Sequence, residues 1–377
     1  MVEYLVTLIN SAAIYSLFAL GLNLQWGFSG LINFGHVAFM TLGAYATAQL
    51  SLLGVPIIIA VAVGLVLAAI LGLLIGSSTL RLREDYLAIV TIGVSELLRL
   101  VVNNEKWLTD SGQWREGSFG IQRYPLPMNF EPNSVSKLVM IAILTLLAVW
   151  AEWQLWRALS SQWRSYQEIR DKSYQPTKPI SLIIWGIIAT GLMVVVYVNG
   201  VIALSNYRYQ AGLMLLILLV LAATYWGLEF LVRSPWGRVL KAIREDEQVP
   251  KALGKNVFWY KLQALMLGGA IAGLAGAFFA WQITTIYPTN FEPLLTFYAW
   301  IIVVLGGAGT NAGTLLGAII FWAYDSITRF VLPHIGNFDS SQEGAFRIMV
   351  IGLILMVLMI WRPQGILGKK EELTLNR

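Results

Sequence analysis

PIIIAVAVGLVLAAILGLLI, Pro56–Ile75, carries no charged or amide side chain over twenty residues. Its apolar residues lie on every face of a helix rather than on one stripe, which is the pattern of a helix buried on all sides or surrounded by lipid. Twenty such residues are also about the length that crosses the hydrocarbon core of a bilayer. Similar runs recur on either side, at Tyr4–Leu24, Leu31–Leu50, Tyr86–Val102, Lys137–Leu155, Pro179–Val198, Gln210–Leu231, Leu262–Ile283, Leu295–Leu305, Gly313–Phe330 and Phe346–Trp361. The expectation is an all-α polytopic bundle of about eleven spans, forming a single transmembrane domain over residues 1–377. The ninth run is too short to cross alone. Continuous rather than alternating runs argue against strands.

Composition agrees. Of 377 residues, 57% are hydrophobic and 12% charged, against roughly 25% charged in a soluble domain. Too little charge remains to coat a soluble surface of this size, and a disordered chain is excluded by the same excess of apolar residues. No cysteine is present, so disulfides, thiolate metal sites and thiol nucleophiles are excluded. His36 and His334 lie far apart in sequence and form no metal-ligand pair. Before the first run stands only Met1-Val2-Glu3. A secretory signal would open with a basic region, so this segment is expected to stay in the mature protein.

The net charge of +5 reflects 26 Lys and Arg against 21 Asp and Glu. No basic run is interleaved with aromatics, so nucleic acid is not expected as a partner. Seven of the basic residues fall within 233–261, five within 157–178, four in the tail from Arg362, and Arg81 and Arg83 add two. Alternating eleven spans places all four segments on one face, which the excess of Lys and Arg identifies as cytoplasmic. The N-terminus is then outside and the C-terminus inside. Residues 103–136, with Trp107 and Trp114, become an external loop, 157–178 a cytoplasmic insertion, and 233–261 a cytoplasmic loop. Trp150, Trp153 and Trp156 share a helical face and read as an anchor at the lipid headgroups.

Enzyme signatures are missing. Gly254-Lys255 is followed by Asn256 and Gly368-Lys369 by Lys370, so neither completes a phosphate-binding G-x-x-x-x-G-K-[ST] loop. No G-x-S-x-G elbow, H-E-x-x-H pair or metal-spaced carboxylate cluster occurs. In the loop SPWGRVLKAIREDEQVPKALGKNVFWYKLQ, Ser234–Gln263, Ser234-Pro235 starts a helix with Val239, Leu240 and Ile243 on its apolar face. Pro250 is expected to stop that helix, and Ala252-Leu253-Gly254 to begin another short element.

That loop, with the following KLQALMLGGAIAGLAGAFFA, resembles the cytoplasmic coupling region of permease subunits in branched-chain amino acid ABC importers, closest to the M-type (LivM-type) permease. LNLQWGFSGLINFGHVAFMTLGAY (22–45), RLREDYLAIVTIGVSELLRL (81–100), VVLGGAGTNAGTLLGA (303–318) and IWRPQGILG (360–368) agree with the same family, in its order. The resemblance implies a bacterial inner-membrane subunit that pairs with an H-type permease, two ATPase subunits and a periplasmic binding protein. ATP and magnesium would be bound by the ATPase, and this chain would carry no cofactor. Gly237, Arg238, Ile243, Arg244, Glu245, Asp246, Ala252 and Gly254 would dock the ATPase. The insertion at 157–178 departs from the shorter members of the family.

Two glycine clusters interrupt the spans: Gly27, Gly30 and Gly35, then Gly306, Gly307, Gly309 and Gly313. Interrupted helices in two places of a transporter point to its substrate route. Asn23, Asn33, His36, Gly306 and Gly307 are therefore candidates for the translocation path, against a plain role in turns and packing. Asn33 and His36 would share a face if their stretch were helical. Gly269, Ala272, Gly273 and Gly276 form a small-residue ridge read as helix packing. Glu96 and Arg99 (i,i+3) and Asp325 and Arg329 (i,i+4) read as ion pairs within spans. The alternative is that Glu96 and Arg99 line a polar passage for a zwitterionic amino acid. A urea or short-amide importer permease, an ion-coupled secondary transporter and a channel are the rival readings. Dependence of uptake on a partner ATPase separates the last two from the first reading.

Overall fold

The computed structural model describes residues 2–80, 84–105, 120–170, 179–335, 339–361 and 364–368. Arg81, Arg83, Trp107, Trp114, residues 171–178 of the insertion, Arg362 and the end from Lys369 lie outside them. The described residues are helical almost throughout: α1 (Val2–Leu22), α2 (Val37–Leu52), α3 (Ile57–Thr79), α4 (Glu84–Asn104), α5 (Ser134–Arg170), α6 (Pro179–Ser205), α7 (Tyr209–Arg233), α8 (Pro235–Glu245), α9 (Gln248–Ala252), α10 (Val257–Ile283), α11 (Leu294–Gly306), α12 (Asn311–Ile335) and α13 (Ser340–Trp361). Each of the eleven apolar runs holds one helix.

Eight helices among the described residues are long and apolar enough to cross a bilayer unaided. Val37–Leu52, Ala189–Ser205 and Gly344–Ile354 are the shorter apolar segments. The second run is shortened because residues 29–36 are not helical. The ninth is longer than expected: a 3-10 turn at Pro288–Phe291 precedes α11, and Pro288–Gly306 reaches spanning length.

Residues 157–170 of the insertion continue α5. Outside the apolar runs, β1 (Ile121–Gln122) pairs antiparallel with β2 (Thr285–Ile286) over two residues. One expectation is corrected. Pro250 does not stop α8, which ends at Glu245. It lies inside α9, whose end is at Ala252. A proline in the first turn of a helix loses no intrahelical bond, since the first four amides have no partner there.

The chain divides into two compact units. One comprises Met1–Asn10 and Met128–Ala222. Val6, Ile9, Met140, Leu144, Leu204, Met214 and Leu215 form its core. Asn10 Nδ2 donates to the Gln210 carbonyl at 3.2 Å, and the Tyr207 hydroxyl to the Met128 carbonyl at 2.6 Å. Trp153 and Trp156 are exposed on α5, with the Arg157 guanidinium over the Trp153 ring at 5.0 Å.

The other unit comprises Ser11–Pro127 and Ala223–Arg377. At its centre α10 packs on α2 and α3 through glycines. A Cβ at Gly43 would lie 1.9 Å from the Gly273 carbonyl oxygen, and one at Gly276 2.0 Å from that of Met40. Gly21 and Gly268 meet in the same way where α1 crosses α10. Small residues let helix backbones close to this range, and dispersion over the tight interface replaces the hydrophobic drive that lipid does not supply. The β1–β2 ladder belongs to this unit. Beyond it the Tyr124 hydroxyl donates to the Ala280 carbonyl, and burial raises that phenol above its usual pKa.

Candidate functional site

Between α1 and α2 the chain leaves the α-helix twice. Asn23–Phe28 forms a π-helical turn, and residues 29–36 are unwound, with Gly30 at φ +76°. π turns widen a helix at the cost of weaker hydrogen bonds and need tertiary support. Irregular backbone at membrane depth persists only where protein or water satisfies it. Protein does so here. Asn33 Nδ2 donates to Gln25 Oε1 at 2.8 Å, and Asn33 Oδ1 accepts from the Gly35 amide at 2.9 Å. The Phe34 amide donates to Thr91 Oγ1 at 3.2 Å and the Val37 amide to Thr296 Oγ1 at 3.0 Å. Trp300 Nε1 donates to the Asn33 carbonyl at 3.0 Å. Gly35 is dictated by space, since a Cβ there would lie 1.8 Å from the Thr91 carbonyl oxygen.

Asn23, Asn33 and His36 are thus wholly buried. Asn33 and His36 do not share a helical face. His36 Nε2 lies 3.1 Å from the Phe18 carbonyl and its ring packs on Phe18.

The second interruption, between α11 and α12, turns on Gly307 at φ +114° and Gly309 at φ +78°. It is covered by the tail, where the Ile366 and Leu367 amides donate to the Leu305 and Gly306 carbonyls at 3.0 and 2.9 Å. Asn23 joins the two interruptions. Its Oδ1 accepts from the Gly309 amide at 2.9 Å and its Nδ2 faces Asn311 Oδ1 at 3.4 Å. Asn311 in turn donates to Glu229 Oε2 at 3.1 Å.

The loop after α7 rests on this junction. Leu240 and Ile243 are buried, and Gly237 lies so close to the Val232 carbonyl that a Cβ would approach within 2.2 Å. Trp236 Nε1 donates to Gln263 Oε1 at 2.7 Å, and the buried Lys261 pairs with Glu247. Lys241 lies over the Phe28 ring at 5.6 Å. Arg244 turns inward and donates to the Gly27 carbonyl. Of the eight coupling candidates, Gly237, Ile243 and Arg244 therefore face the spans. Arg238, Glu245, Asp246, Ala252 and Gly254 are exposed, as are the apolar Val249 and Leu253.

The remaining candidates are placed apart. Glu96 and Arg99 form a two-point ion pair, with Arg99 Nε 2.9 Å from Glu96 Oε2. Glu96 lines a shallow groove of about 500 Å³ along α4, with Gly93, Leu97 and Leu100. Asp325 holds Arg329 at 2.7 Å and also Arg347 of α13 at 3.3 Å. Gln25, Thr91, Glu229, Thr296 and Asn311 escaped the sequence reading. Thr91, Glu229 and Thr296 are polar residues in otherwise apolar runs, a signal that marks a required partner, whereas Gln25 and Asn311 lie just beyond the ends of such runs.

The family described as "Branched-chain amino acid transport system / permease component" matches residues 4–157 and 178–359. The high-affinity branched-chain amino acid transport system permease protein LivM of Escherichia coli is 27% identical over 355 residues, which cover 94% of this chain and 68% of that protein. Its Salmonella typhimurium counterpart is 28% identical with the same coverage. The fructose import permease protein FrcC of Rhizobium meliloti is 26% identical over 159 residues, 41% of each chain. No solved structure matches.

Proposed function

The chain belongs to the permease-component family of branched-chain amino acid transport systems, and from that premise we propose that it takes neutral, branched-chain amino acids across the inner membrane, N-terminus outside, driven by a separate ATPase. It is a multi-pass transport subunit, not an enzyme. The observation that carries the mechanism is the seating of the α8–α9 loop. Its apolar face is spent on the chain's own spans, while Val249, Leu253, Ala252 and Gly254 protrude. A partner gripping that protruding end moves a piece anchored at Gln263, Lys261 and Gly27. The partners in this reading are two ATPase subunits with ATP and magnesium, an H-type permease and a periplasmic binding protein.

The contacts support the proposed sidedness. Alternation assigns the turn at Gly27, the α8–α9 loop, the turn at Gly309 and residues 364–368 to the cytoplasm, and these segments meet. It assigns β1 and β2 to the outside, and they pair. Within this reading Asn23, Gly306 and Gly307 belong to a cytoplasmic hinge of the path, and Asn33 and His36 to its packed wall. An ion-coupled carrier finds less support, because both carboxylates suited to a relay, Glu96 and Asp325, are ion-paired.

Cargo choice is assigned to the binding protein, in keeping with similarity to a permease named for fructose. A urea or short-amide cargo is the alternative. The test is reconstitution with the ATPase and binding protein encoded alongside. ATP-dependent leucine uptake, abolished by an ATPase that cannot hydrolyse, is the expected result. Uptake that persists without the ATPase sinks the proposal.

A further inference from the structure

We propose that Arg244 is the internal strut of this permease, a positioning residue that caps the broken end of the first span and so carries displacement of the α8–α9 loop to both interrupted segments. The inference rests on the importer reading above and goes beyond docking, since it assigns Arg244 to the chain's own interior.

Three observations converge on this side chain. First, Nη1 donates to the Gly27 carbonyl, in the last turn of the π-helical segment that ends the first span. The final carbonyls of a helix lack intrahelical partners and carry the negative end of its dipole, so a cation there is doubly favoured. Second, Gly309 leaves room for the same group: a Cβ there would lie 2.5 Å from Arg244 Nη1 and 2.8 Å from the Gly27 carbonyl oxygen. Third, Gly30 passes beside the stem, where a Cβ would stand 3.7 Å from Arg244 Cα and 4.0 Å from its Cβ. A planar guanidinium offers donors in a rigid fork, so its position and orientation are both transmitted. Glu245 Oε1 at 3.6 Å steadies it from the loop side.

Movement of the loop therefore pulls on a helix end rather than on a side chain alone. Because Asn23 ties that end to Gly309, one strut serves both interruptions.

The experiment uses the full transporter in proteoliposomes and reads labelled leucine taken up per ATP hydrolysed. In Arg244→Ala, uptake should fall about tenfold further than hydrolysis, the size of one lost charge-assisted hydrogen bond. Arg244→Lys, which keeps the charge and N–H donors but not the planar fork, should recover part of that ratio, and Gly309→Ala should lower it. Uptake and hydrolysis falling in proportion, or an unchanged ratio, would overturn the proposal. If Arg244→Ala fails to assemble, Gly309→Ala, which keeps Arg244 and intrudes on its guanidinium, decides. A ratio equal to that of the wild type in that variant overturns the idea. A wild-type complex without ATP-dependent leucine uptake would instead fell the importer reading, and this inference with it.

Discussion

Gly43 and Gly273 face each other where α2 crosses α10, with no space for a methyl group between Gly43 and the opposing carbonyl. Gly43→Ala should cost about 1–3 kcal/mol, because backbone rather than a flexible side chain must yield. Gly227 in α7 has nothing within 4 Å of a built Cβ. Gly227→Ala should be neutral or add up to about 1 kcal/mol through helix propensity. Thermal midpoints of the two purified variants in detergent should therefore move in opposite directions or differ by several degrees. Asp325 is a second residue on which much rests, since one carboxylate holds two arginines from two helices. Asp325→Asn leaves Arg347 short of its counter-charge in a partly buried place and should destabilise by about 1–3 kcal/mol. An unaltered midpoint would show that Arg347 finds compensation elsewhere.

At the scale of elements, α9 offers the cleanest separation of fold from partnership. Val249 and Leu253 are exposed at 54% and 74%. Replacing both with Ala should leave the thermal midpoint in place while weakening association with the ATPase by about tenfold, the scale of a truncated interface anchor. Co-purification yields and a binding titration check it. The positions of the long helices were legible in the sequence because apolar length alone sets them, as in Pro56–Ile75. The unwinding at 29–36 was legible only as a cluster of glycines. Its form depends on Gln25 in the adjoining π turn and on Thr91, Thr296 and Trp300, whose approach from two other helices leaves no trace in the stretch itself. The end of α8 is illegible for a related reason. Pro250 reads as a stop, yet prolines are welcome in a first helical turn, and one begins there.

For the molecule as a whole, sidedness is the property most open to test, and the lack of cysteine makes the test direct. Single cysteines at Lys251 and at Tyr287, both at exposed places, should react oppositely in intact cells. The Tyr287→Cys site should take a membrane-impermeant maleimide, and Lys251→Cys only after the membrane is opened. The reverse pattern would invert the orientation. The expected sidedness rests on Lys and Arg alone, whereas nothing in the sequence announces the convergence of four distant segments on Gly27 and Gly309. It arises from pairings such as Asn23 with Gly309, across most of the length of the chain.

The cover over the second interruption has a bearing on biogenesis. The carbonyls of Leu305 and Gly306 accept from the amides of Ile366 and Leu367, which leave the ribosome after α12 and α13 have been made. Segments fold in order of synthesis where they can, so this corner must wait, solvated or chaperoned, until the distal donors arrive. A ribosome stalled within α13 would present an inserted protein with every earlier helix complete and its hinge unlatched.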